Sequence, residues 1–156
     1  MKNLDLLAAQ TAQGIISNTE KQKASDVENL ITKALGVLQE NGVYAALLYL
    51  YSRSSKNEQP IAQQTRLHLL HLTSELALKP PTDRQVEDKI VIEDAKASIA
   101  LQFLTDRICN DLDRLLLVKQ LWEQTLIYAR YGAKAQEAEV KEREGKNKRK
   151  EAEVKA

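Results

Sequence analysis

Cysteine, proline, glycine and aromatic residues are all scarce in this 156-residue chain, and each scarcity closes off a class of structure. The single cysteine, Cys109, rules out a disulfide framework or a cysteine-built zinc site within one chain, and it fits a reducing compartment. Five glycines and three prolines leave few breakers, and an aromatic share of 4% leaves few of the residues that favour strands. Apolar runs are short. The longest, Val43 to Tyr51, falls well below the roughly 20 residues that span a bilayer. Near the N-terminus Asp5 arrives before any signal-peptide-like apolar region can form. A soluble, cytoplasmic protein is the expectation. Charge of one sign is also lacking: the formal net charge is +1, so nucleic-acid binding would have to rest on local clusters of Lys and Arg. There is no glycine-rich phosphate loop and no G-x-S-x-G elbow.

What the chain does have is helical periodicity. Its length suits one domain, which would bury roughly 70% of its unfolded surface. Leu4, Leu7, Ala8, Thr11 and Ile15 mark a first amphipathic helix to about Ser17. Ser25-Asp26-Val27-Glu28 has the S-x-x-E form of a capping box, and Leu30, Ile31, Ala34, Leu35 and Leu38 follow as one stripe. Asn41-Gly42 between two apolar runs would often read as a hairpin tip. The flanking period is 3.6 rather than two, so Gly42 is the left-handed residue past a helix end. Tyr44, Leu47, Leu48 and Tyr51 then lie on a second helix. Pro60 opens a further helix through Leu67, Leu70, Leu76 and Leu78, which stops at Lys79-Pro80-Pro81. Thr82-Asp83-Arg84-Gln85 signals another helix start. A helix through Ile92, Ala95, Ile99, Leu101, Phe103 and Ile108 precedes an interruption at Asn110 to Asp113. Leu115, Val118, Trp122, Leu126 and Ala129 define a last long helix. Beyond Gly132 apolar content collapses into a mixed-charge tail, where Gly145 and the cluster Lys146 to Lys150 favour fraying over a solvated rod. The predicted fold is all-α: a compact bundle of five to six helices over residues 1–135, and a charged tail, 136–156, that is a helical extension or disordered.

Candidate chemistry is thin. His68 and His71, with Glu75 a turn on, have the donor types of a metal site. They also form, with Gln64, the polar stripe expected on an outward helix face. Asp106, Asp111 and Asp113 flank a helix junction, where aspartate is favoured for capping. Cys109 reads as a small buried apolar residue rather than a nucleophile. No catalytic residue, cofactor or metal site is assigned, and the chain is read as a non-enzyme. The basic residues carry more information. Arg53 and Lys56 close the helix after Gly42, with Tyr49 four residues before Arg53. Lys119, Arg130, Lys134 and Lys141 fall roughly on one face of the last helix, although Glu123 and Glu137 intrude. Cations spaced along a rigid helix can track a phosphate backbone.

Two segments carry a resemblance. "LITKALGVLQENGVYAALLYLYSR" resembles the helix–Asn-Gly–helix core of the small-subunit family of type III-B (Cmr-module) CRISPR effector complexes, in which a helix ends at N-G, an apolar helix follows and a basic residue closes it. "VKQLWEQTLIYARYGA" is similar to that family's C-terminal helix, of the type T-x-E-A-x-x-x-L-x-W-x-K-R-F-A. Gln120 stands at the Glu, Arg130 and Tyr131 at the basic–aromatic pair, and Gly132 at the small position. Ile127 stands where the family has Trp, and Ala129 where it has its first basic residue. The resemblance implies a non-catalytic helical subunit. It would stack in several copies along an effector filament with other CRISPR effector subunits, beside the guide RNA–target RNA duplex. Arg53, Lys56, Lys119, Arg130 and Lys134 would contact the RNA backbone. A helical protein–protein scaffold with no nucleic-acid contact is the alternative.

Overall fold

At Asn41-Gly42 one helix closes and the next opens. Gly42 has φ 94° and ψ −174°, a conformation that side-chain-bearing residues scarcely enter. Its N–H donates to the Leu38 carbonyl at 2.9 Å, and its own carbonyl accepts from Ala46 N–H at 3.0 Å. One residue thus ends one ladder and begins another. The computed structural model describes residues 3–76 and 96–155. Among these residues there are six helices and no strand: α1 (Leu4–Asn18), α2 (Ala24–Asn41), α3 (Val43–Ser52), α4 (Gln59–Leu76), α5 (Ala97–Arg107) and α6 (Leu112–Lys155). The all-α bundle expected from the periodicity is the fold. The stop at Lys79 to Pro81 and the helix start at Thr82 lie outside the described residues.

Local chemistry explains most of the boundaries. Asn3 caps α1, its Oδ1 accepting from Leu6 N–H at 3.1 Å. The interruption at Asn110 to Asp113 is a cap, with Asp111 Oδ1 accepting from Asp113 N–H at 3.0 Å and Arg114 N–H at 3.3 Å. The Ser25–Glu28 capping box does not form. Lys23 occupies the cap position, its carbonyl accepting from Asp26 and Val27, and Ser25 already lies inside α2. The Glu28 carboxylate that the box needs is turned instead to Lys134 Nζ, 3.7 Å away.

α6 is the spine. α1 and α2 lie along it, α3 packs on α2, α4 and α5, and α4 also crosses α1. Val118, Leu121, Trp122, Thr125, Leu126, Ala129 and Ala133 are its buried seam, meeting Ile15, Leu30, Ile31, Leu38, Leu47, Leu50 and Leu69 in one core. Within that core the Trp122 indole N–H donates to Thr73 Oγ1 at 2.8 Å, and the Thr73 hydroxyl donates to the Leu69 carbonyl at 2.8 Å. Both polar groups are therefore satisfied without water.

Past Ala135 the helix runs on to Lys155, so the tail takes the form of the solvated rod, exposed throughout from 138 to 155. It spans about 30 Å. A helix with no core face needs support along its own surface. Here Glu precedes Lys or Arg by four residues at 137/141, 139/143, 142/146, 144/148 and 151/155, the favourable order for such pairs. Two of them close as ion pairs, Glu137–Lys141 at 3.0 Å and Glu142–Lys146 at 3.4 Å.

Candidate nucleic-acid interface

Arg53 lies just past the end of α3, where the chain has left the helix but is still pinned by its last turn. Its guanidinium sits 4.6 Å from the centroid of the Tyr49 ring, one helical turn back. Nε and Nη2 point to Ser52 Oγ at 3.4 and 3.2 Å, and Glu58 Oε2 is 3.9 Å from Nη1. Burial raises the Tyr49 phenol pKa, with the Arg53 charge pulling the other way, so the ring stays neutral at physiological pH. The i, i+4 spacing of Tyr49 and Arg53 made this stack legible. Its neighbour was not: Arg66 of α4 stacks over Tyr51 at 4.5 Å, joining two helices that no local pattern links.

Lys56 is exposed in the loop before α4, and Lys119 is half-buried near the start of α6. Among the described residues neither has a carboxylate within ion-pair distance. Arg130 and Lys134 sit further along α6. At 100° per residue, Lys119, Arg130 and Lys134 share an arc of about 60°, over a rise of about 22 Å. The expected single face is therefore present, but it flanks the seam with α2. Lys134 pairs with Glu28 of α2, and the Arg130 Nε is buried with no hydrogen-bond partner among the described residues. Lys141 pairs with Glu137, and that bond and charge hold the Glu137 carboxyl below the usual carboxylate range. Among the described residues no hydrogen bond or ion pair links Arg53 or Lys56 to the α6 row. The five residues thus form two groups, one at the end of α3 and one along α6, with Lys56 and Lys119 the members least engaged.

The histidines divide: His71 and Glu75 are exposed, as the polar stripe predicts, whereas His68, which lines the same open groove, is half-buried against α1. A Cβ built on Gly14 would lie 2.7 Å from His68 Cε1, so α1 needs glycine there to admit the imidazole. Its Nε2 is 2.8 Å from Asn18 Nδ2. Burial, and then the neighbouring His71, lowers the His68 pKa. Among the described residues no three His, Cys, Asp or Glu side chains converge as a metal site. Asp106 accepts from Gln102 Nε2 at 2.8 Å, Asp111 caps α6, and burial pushes the Cys109 thiol pKa up, away from nucleophile chemistry. No described helix is long and apolar enough to cross a membrane.

Comparison with protein-family models, with curated proteins and with solved structures gave no match to this chain.

Proposed function

We propose that this chain is a non-catalytic structural subunit of a type III CRISPR RNA-guided effector complex of the cytoplasm. It stacks along the filament and touches the guide or target RNA backbone through basic side chains in antiviral defence. One observation carries the reading. The two segments that resemble the small-subunit family are far apart in sequence, yet they pack together: α2, which leads into the Gly42 corner, lies along α6. In RNA-guided systems base pairing reads the sequence, so a subunit of this kind needs cations on a rigid scaffold and no base-reading pocket. Stacking calls for a head-to-tail contact surface. Leu112 and Leu116 supply an apolar step on the first turns of α6, 69% and 55% exposed.

The test uses Lys56→Glu with Lys119→Glu in the full chain, assembled with its complex and guide RNA. Arg130 is left alone because its Nε is buried and a carboxylate there would disturb packing. RNA retention should fall about tenfold or more at low salt, with helicity unchanged and the difference shrinking as salt rises. RNA retention equal to wild type across the salt series overturns the RNA contact. Recovery of the same protein partners after nuclease treatment, with no salt-sensitive RNA binding, points to the scaffold alternative instead.

A further inference from the structure

The rod of α6 carries the densest cationic stretch in the chain. Residues 146–150, Lys-Asn-Lys-Arg-Lys, hold four cations and no carboxylate. At 100° per residue Arg143, Lys146, Arg149 and Lys150 fall within an arc of about 120°, at i, i+3, i+6 and i+7, while Lys141, Lys148 and Lys155 line the opposite side. Of the first four, Lys146 is engaged by Glu142 at 3.4 Å. Arg149 and Lys150 have no carboxylate within ion-pair distance among the described residues, and every residue from 138 to 155 is exposed. This contrasts with the bundle's own basic row, where Lys134 is neutralised by Glu28 and Arg130 is partly buried.

We propose that the Arg143–Lys146–Arg149–Lys150 face of the rod is a binding surface for an RNA phosphate backbone. It lies roughly 15–25 Å beyond the bundle's last buried turn at Ala133. The assignment deepens the RNA-contacting role proposed above and rests on it for the identity of the polyanion. The four side chains span about 10 Å along the helix, the axial length of about three phosphates of one strand. A lipid surface fits less well. The rod's only larger apolar residues are Val140 and Val154, with no Trp, Phe or Leu to seat in an interface. The rod's own Glu→Lys register supports the helical backbone, which sets its cations at a regular spacing.

The experiment is filter retention of radiolabelled polyuridylate by the full chain across a NaCl series. Wild type is compared with two variants of equal charge change. One is Lys146→Gln, Arg149→Gln, Lys150→Gln; the other is Lys141→Gln, Lys148→Gln, Lys155→Gln on the opposite side. All six positions are exposed, so the bundle stays intact in both. The first variant should make the slope of log affinity against log salt shallower by about 2, the value for three lost contacts on a single strand. The second should leave it near wild type. Equal losses in both variants, or no loss in the first, overturn the assignment. If Lys56→Glu with Lys119→Glu weakens retention while the first variant does not, the rod assignment fails and the RNA role stands. If wild type retains no polyuridylate, both fail, and capture by phosphatidylserine vesicles in that case assigns the face to a membrane surface instead.

Discussion

Thr73 and Trp122 share one hydroxyl between two obligations, accepting from the indole and donating to the Leu69 carbonyl. Thr73→Val keeps the shape and removes both bonds. The indole N–H is then left buried without an acceptor, which costs about 1–3 kcal/mol. A urea titration followed by circular dichroism should show the midpoint fall with the slope unchanged; an unchanged midpoint would mean that the indole bond adds nothing to stability. Sequence patterns could not have paired these residues. Trp122 was legible as part of a 3.6-residue stripe, but its acceptor lies 49 positions away on another helix. The same holds for Lys134 and Glu28. Each was readable by type, Glu28 as a cap and Lys134 as a phosphate contact, and the tertiary fold joins them to each other.

Helix by helix, what could be read was whatever depends on near neighbours. The Gly42 corner was visible because its flanks keep helical period and because only glycine accepts the backbone angles it needs. Gly42→Ala meets no crowding, since nothing lies within 4 Å of the added Cβ. Its cost is backbone strain alone, about 1–3 kcal/mol. Thermal unfolding should register this as a Tm several degrees lower with the same helix content. A Tm equal to wild type would show that the corner relaxes to another geometry. The Ser25 box failed as a reading for a neighbourly reason too: Lys23 begins the helix two residues earlier, so the hydroxyl arrives inside the first turn. The last helix beyond Ala135 was balanced between rod and disorder because its support comes from weak pairs of about 0.2–0.5 kcal/mol each, set against a glycine costing about 1 kcal/mol. Gly145→Ala, where the new methyl again meets nothing, should slow amide exchange over residues 140–150 and leave the bundle's urea midpoint where it was. Exchange as fast as wild type would mean that the glycine does not limit the rod.

For the molecule as a whole, the α1–α4 contact ties folding to a proton. His68 titrates below its ordinary value of about 6.5 because burial disfavours its charge, with His71 adding to the effect. Above about 6.5 the imidazole is neutral in folded and unfolded chains alike, and its contribution to stability is fully present. As pH falls below that value the unfolded chain takes up a proton that the folded chain resists, so stability drops until the folded pKa is passed. Urea midpoints should therefore decline between about pH 7 and pH 5 more steeply for wild type than for His68→Gln. Parallel curves would show that the ring is not the group responsible. Following any of these transitions needs no added label. The chain's one tryptophan is wholly enclosed in the bundle, 0% exposed, while the rod carries none. Ultraviolet emission from that single indole reports on the bundle interior alone. A red shift signals an opened interior, whereas a ligand held far out on the rod leaves the spectrum as it was.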